Sequence, residues 1–129
     1  MTESRFEAAA LRHFETLLRR ERQDTAADLD RLSGSLGEVR EARSDASADD
    51  EHDPDGPTLS AEWSTLSGVR SELAERLAGI DRALQRIADG TYGVCLRRGE
   101  PIGPARLEAR PAATLCIDGA RELETGRPA

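Results

Sequence analysis

The chain has no lysine; all 18 basic residues are arginine. We read this as a compositional bias rather than the mark of a site. Aromatic residues make up 3% of the 129 residues and charged residues 33%, a mixture that argues against a large single core and for helices that bury a narrow seam. There are two cysteines, too few for a disulfide framework. No apolar run approaches the roughly 18 residues of a membrane-spanning helix. The opening MTESRFEAAA lacks a signal-peptide pattern, so a cytoplasmic protein with reduced thiols is expected. The net charge of −7 and a pI near 4.9 argue against a nucleic-acid-binding face, which needs clustered basic residues. The sequence also lacks a P-loop, a GxGxxG turn, an HExxH pair and a framed nucleophile–base set, so no enzyme is expected.

What the chain does have is a period of seven. Leu11, Leu18, Thr25, Leu32 and Val39 recur at that spacing, with Phe14, Leu29 and Leu36 beside them. One long helix over 4–43 is therefore predicted, weakened at Gly34 and Gly37. Leu59, Leu66, Leu73, Ile80 and Ile87 form a second series, flanked by Trp63, Leu77 and Leu84. It predicts a helix over 58–89 of about 45 Å, ended by Gly90. Neither stripe is stable without a partner, so the two helices should fold back as an antiparallel coiled-coil hairpin. Leu73 and Ile80, consecutive in the series, should both behave as core.

Between the helices, residues 44–57 read SDASADDEHDPDGP. Six of the fourteen are acidic, namely Asp45, Asp49, Asp50, Glu51, Asp53 and Asp55. Pro54, Gly56 and Pro57 interrupt helical continuity, and a solvated acidic loop is expected. After Gly90 comes a compact knuckle, then a short helix over about 115–124 and a disordered tail at 125–129. The expected fold is all-α, with domains 1–89 for the hairpin and 90–124 for the globular end. Tyr92, Val94, Leu96, Ile102, Leu107, Leu115, Ile117 and Leu123 are the expected apolar core of that end.

Asp89–Arg121 reads DGTYGVCLRRGEPIGPARLEARPAATLCIDGAR and contains both cysteines and the only tyrosine. The frame Gly90-Thr91-Tyr92-Gly93, Cys95, Gly99, Ile102, Arg106-Leu107-Glu108-Ala109, Pro111, Ala113 and Cys116-Ile117 resembles the zinc-finger end of the DksA/TraR family of bacterial RNA-polymerase-binding regulators. In that family four cysteines hold one zinc. Here the ligand positions read Cys95, Arg98, Cys116 and Gly119, a degenerate zinc finger with two of the four present. Arginine has no lone pair to donate, and His13 and His52 are expected far from the knuckle. No cofactor is therefore expected. Zinc would have to recruit carboxylates such as Asp118 into a weak mixed site. The expected substitute for the metal is packing of that apolar core; Arg98 and Asp118 occupy neighbouring sites in the family knuckle, where they either pair or both face water. If the knuckle keeps the family fold, Cys95 and Cys116 stand at two corners of the old tetrahedron, about 3.7 Å apart from a Zn–S length near 2.3 Å.

The resemblance implies a monomeric regulator of transcription, associated with the stringent response, that binds RNA polymerase through its secondary channel. Carboxylates at the hairpin tip would reach toward the active site, and ppGpp would be a joint effector. The family's tip pattern DPxDxA is nearest to Asp53-Pro54-Asp55, which makes Asp53 and Asp55 the tip candidates and Asp49 and Asp50 the alternates. Two other readings stay open, a coiled-coil adaptor for an unrelated partner and a thiol-based redox sensor acting through Cys95 and Cys116.

Overall fold

The structure is a computed structural model and describes residues 6–49 and 56–126. Four helices follow one another: α1 (Ala8–Asp49), α2 (Gly56–Asp89), α3 (Pro104–Ala109) and α4 (Ile117–Thr125). Among the described residues the only extended pairing is a single antiparallel bridge between Val94 and Pro101. No helix there is long and apolar enough to cross a membrane. The fold is all-α, with two long helices packed together, as the periods of seven require.

The helices do not end where composition changes. α1 runs six residues past Arg43, to Asp49. Nothing from Ser44 to Asp49 removes an amide or adds a glycine, so a change of polarity alone does not stop the helix. α2 begins at Gly56 and takes Pro57 into its first turn, where the missing amide has no intrahelical partner to lose. α3 was not anticipated; it begins at Pro104, which is suited to the same position. α4 runs through Thr125 and is closed by Gly126 in the left-handed region. The end of the expected tail, residues 127–129, lies outside the described residues.

Two compact units divide the chain. One, here the seam unit, is Gln23–Leu77; the other, the knuckle unit, contains residues up to Arg22 and from Ala78 onward. Within the seam unit Arg40 and Arg43 lie over the ring of Trp63, at 5.5 and 5.8 Å. Asp28, Arg31 and Leu32 line a hollow with Val69 and Leu73. Later residues of α1 thus meet earlier residues of α2, so the segments run antiparallel. Thr25, Leu36 and Val39 are buried. The α2 side supplies only half-buried residues: Leu59, Trp63, Leu66, Leu73 and Leu77. Leu73 is therefore no equal of Ile80, which is 0% exposed.

Within the knuckle unit Phe14 and Leu18 of α1 and Ile80 and Ala83 of α2 join Tyr92, Cys95, Ile102, Leu107 and Cys116 in one buried cluster. Three of the chain's four aromatic residues meet here. Phe6 and Phe14 make an edge contact at 5.3 Å, and Tyr92 lies 5.7 Å from Phe14 and 6.3 Å from Phe6. The expected core of this end needs correction, because Leu96, Ile117 and Leu123 are exposed at 68%, 52% and 61%. Their places are taken by Phe14, Leu18, Ile80 and the two thiols, since α1 and α2 supply one wall of the core.

Candidate functional site

The glycine-bounded turn that opens the knuckle is held from several directions. Thr91 Oγ1 donates to Asp89 Oδ1 at 2.6 Å, and the buried Tyr92 hydroxyl donates to the Pro111 carbonyl at 2.7 Å. Burial holds the phenol well above its ordinary pKa, with the nearby Arg86 guanidinium opposing that shift. Gly93 has φ +87°, and the edge of the Phe6 ring approaches so closely that a β-carbon on Gly93 would lie 2.5 Å from it. The Arg106-Leu107-Glu108 stretch has three separate tasks. Arg106 Nε donates to the Leu115 carbonyl at 2.8 Å, tying α3 to the segment before α4. Leu107 is fully buried. Glu108 Oε2 meets His13 Nε2 at 2.6 Å. His13, expected far from the knuckle, thus sits against α3, because the first turns of α1 pack on this end. His52 lies outside the described residues.

A short loop carries Cys95. Its amide donates to the Glu100 carbonyl at 2.8 Å, its carbonyl accepts from the Gly99 amide at 2.9 Å, and the Leu96 amide donates to the Thr114 carbonyl at 2.8 Å. The last bond lays the loop beside the segment that leads to Cys116, the N-cap of α4. Cys116 Sγ accepts the Gly119 amide at 3.3 Å. Three of the four positions that the family resemblance assigns to zinc ligands therefore converge: an ideal β-carbon on Gly119 would lie 2.9 Å from Cys95 Sγ and 3.6 Å from Cys116 Sγ. Both cysteines are buried and free. Burial pushes the Cys95 thiol up, but hydrogen bonds from the backbone of Cys116, Arg98 and Arg97 and from the Cys116 side chain outweigh it. The thiol ends below its ordinary value.

Arg98 does not join the sulfurs, and its partner is not Asp118. It donates to both Glu100 carboxylate oxygens, at 3.1 and 3.3 Å, and to Glu122 Oε1. Arg97 Nε donates to the other oxygen of Glu122 at 2.9 Å. One carboxylate on α4 thus takes two adjacent arginines of the Cys95 loop. Arg97 first, then Arg98, holds Glu122 below the usual carboxylate range. Glu100, then Glu122, raises Arg98 above its usual value. Asp118 sits in the first turn of α4, where free amides favour a carboxylate. Glu122, one turn on, reaches the loop. Helical spacing from Gly119 was the available signal for Glu122, since i and i+3 share a face.

Further along the chain, Asp49 is the last residue of α1, and the other three tip candidates, Asp50, Asp53 and Asp55, lie outside the described residues. The hollow formed by Arg40, Arg43, Ser44 and Trp63 had no counterpart in the sequence reading.

Residues 90–124 match the family described as prokaryotic dksA/traR C4-type zinc finger. Over 110 residues the chain is 30% identical to the RNA polymerase-binding transcription factor DksA of Salmonella typhimurium, an alignment that covers 85% of this chain and 68% of that protein. The chain belongs to the DksA/TraR family. A second DksA, from Caulobacter vibrioides, is 46% identical over 56 residues, 43% of this chain and 39% of that protein. The matched stretch is thus well under two thirds of the Caulobacter protein. Among solved structures, the transcription factor DksA2 from Pseudomonas aeruginosa superposes with a TM-score of 0.78 at 31% identity, covering 93% of this chain and 87% of that one.

The family's C4 zinc site does not fit the residues of this member. Structural zinc needs four donors in a tetrahedron. Two thiols are present. Arg98 stays protonated with no lone pair, and Gly119 has no side chain. Among the described residues no group of three or more His, Cys, Asp or Glu converges on a point. In place of a metal bridge, α4 is joined to the Cys95 loop by Glu122 and its two arginines.

Proposed function

We propose that this chain is a non-enzymatic regulator of transcription that binds RNA polymerase. One observation carries the reading: 85% of the chain aligns with a protein named for that binding. The fold match to DksA2 over 93% of the chain supports it. In the finer reading the hairpin enters the secondary channel of the polymerase and the knuckle docks at its rim. Asp53 and Asp55 act near the active site, with Asp49 and Asp50 as alternates. The protein works as a monomer in the cytoplasm, with ppGpp as joint effector. The acid density of residues 44–57 supports the role given to the tip, because clustered carboxylates of one sign create a strong local field.

The test is retention of RNA polymerase by the full chain, alongside in vitro transcription. Wild type should retain polymerase and change transcript yield. The Asp53→Asn/Asp55→Asn variant should still retain polymerase and melt at nearly the same temperature, yet lose the effect on transcription. Failure of wild type to retain polymerase overturns the function. Normal regulation by the double variant overturns the role of the tip acids and leaves polymerase binding standing.

A further inference from the structure

The two thiols of the knuckle are buried, free and aimed at one place. Their sulfurs lie 2.9 and 3.6 Å from the point where a β-carbon of residue 119 would stand. Cys116 Sγ also receives the Gly119 amide at 3.3 Å. An amide directed at a buried sulfur favours the thiolate form, as charge-assisted bonds do. Cys116 also caps the N-terminus of the nine-residue α4, which favours negative charge. Core apolar contact alone does not aim two buried sulfurs at one point.

The donor set decides which ion it suits. Calcium and magnesium require oxygen ligands, and no carboxylate joins the thiols among the described residues. Zinc requires four donors. A soft monovalent ion prefers thiolate and is satisfied by two of them in line. We propose that Cys95 and Cys116 form a two-coordinate thiolate site for a soft monovalent cation, of which copper(I) is the biological example.

Binding is an exchange without electron transfer. Two S–H bonds break, two protons leave to solvent, two Cu–S bonds form, and the bis-thiolate complex carries one negative charge. Sulfurs of a tetrahedral site stand about 3.7 Å apart, and a linear pair needs them about half an ångström further. Gly119 leaves that room, since a side chain there would press on Cys95 Sγ. Arg98 cannot intrude as a ligand, and Glu100 and Glu122 hold it away. The site is independent of polymerase binding and stands or falls separately.

The test uses the full chain, reduced and free of metal, titrated anaerobically with copper(I) against a chromophoric copper(I) chelator. One equivalent per chain should be withdrawn from the chelator. Cys95→Ser and Cys116→Ser should each weaken binding by more than the ~10–100-fold that loss of an outer partner typically costs. Gly119→Ala, which keeps both thiols, should weaken it less. If the serine variants do not fold, X-ray absorption of the wild-type complex decides. It should show two sulfur neighbours, closer than the ~2.3 Å of zinc–thiolate bonds, in a protein that remains monomeric. Failure to withdraw copper, a third ligand in the absorption spectrum, copper held between two chains, or displacement of copper by equimolar zinc would each overturn the site.

Discussion

The seam unit and the knuckle unit are cut from the same two helices, yet they bury their residues differently. In the knuckle unit Leu18, Ile80 and Leu107 are 0% exposed, and Tyr92 and Cys95 are 1% exposed. In the seam unit the α1 side buries Thr25, Leu36 and Val39, while every described apolar position of α2 is half-buried or exposed. A two-helix seam covers each side chain from one direction only. The knuckle adds a third wall, with α3, the cysteine loop and α4 closing over the same stripe. A period of seven thus fixes which residues face inward, and the number of walls fixes how much each one contributes.

Truncating one position of the α2 series in each unit tests this most strongly. Ile80→Ala should cost about 2–5 kcal/mol, as a fully buried aliphatic residue does. Leu73→Ala, seven residues earlier and half-buried, should cost about 1 kcal/mol, a fraction of full burial. Urea denaturation of both variants gives the two values. Equal costs would mean that the seam is covered as fully as the knuckle and would remove the contrast.

Much of this was legible in the sequence, and the failures share a cause. Helix faces, the hairpin and the boundary at Gly90 follow from spacing and from glycine chemistry, which act along the chain. Leu96, Ile117 and Leu123 were expected inside because they are apolar and lie in the globular end, but which apolar residues go inside depends on the walls. Phe14 and Leu18, read as seam residues, turn out to be part of the knuckle core. The pairing of Arg98 with Asp118 was drawn from their neighbouring sites in the family knuckle, whereas the partner Glu122 is set by the path of α4. The convergence of Cys95, Cys116 and Gly119 was legible only through the family frame. Spacing alone says nothing of two residues twenty-one apart.

Glycine substitutions set the second contrast, with opposite signs in the two units. Gly93→Ala places a side chain at φ +87° and 2.5 Å from the Phe6 ring. It should destabilise by about 1–3 kcal/mol from the backbone alone, and more if Phe6 is displaced. Gly34, Gly37 and Gly68 lie in the helices of the seam unit with nothing within 4 Å of an added β-carbon. Alanine at each should stabilise by about 0.5–1 kcal/mol, mostly by restricting the unfolded chain. Thermal melts of the four single variants check the signs. Destabilisation by Gly34→Ala or Gly68→Ala would show that those turns are not ordinary helix.

The smallest effect belongs to the charged substitute for the metal bridge, and its dependence on pH identifies it. Glu122 accepts from Arg97 and Arg98 with its side chain about a quarter exposed, so solvent screens much of the attraction. Its carboxyl is held below the ordinary range in the folded state, first by the Arg97 hydrogen bond and then by Arg98. A depressed folded-state pKa means that the unfolded chain takes up the proton first as pH falls. The stabilisation should therefore be complete well above the unfolded value of about 4.3 and fade as pH drops through the lower folded-state value. Glu122→Gln should lower the melting temperature at pH 7 by less than Ile80→Ala does, and the gap from wild type should close toward pH 3. Glu124→Gln, on the exposed end of the same helix, serves as the control for net charge. A Glu122→Gln deficit that persists unchanged at pH 3, or one matched by the control, would mean that packing or overall charge rather than the two arginines holds α4 to the cysteine loop.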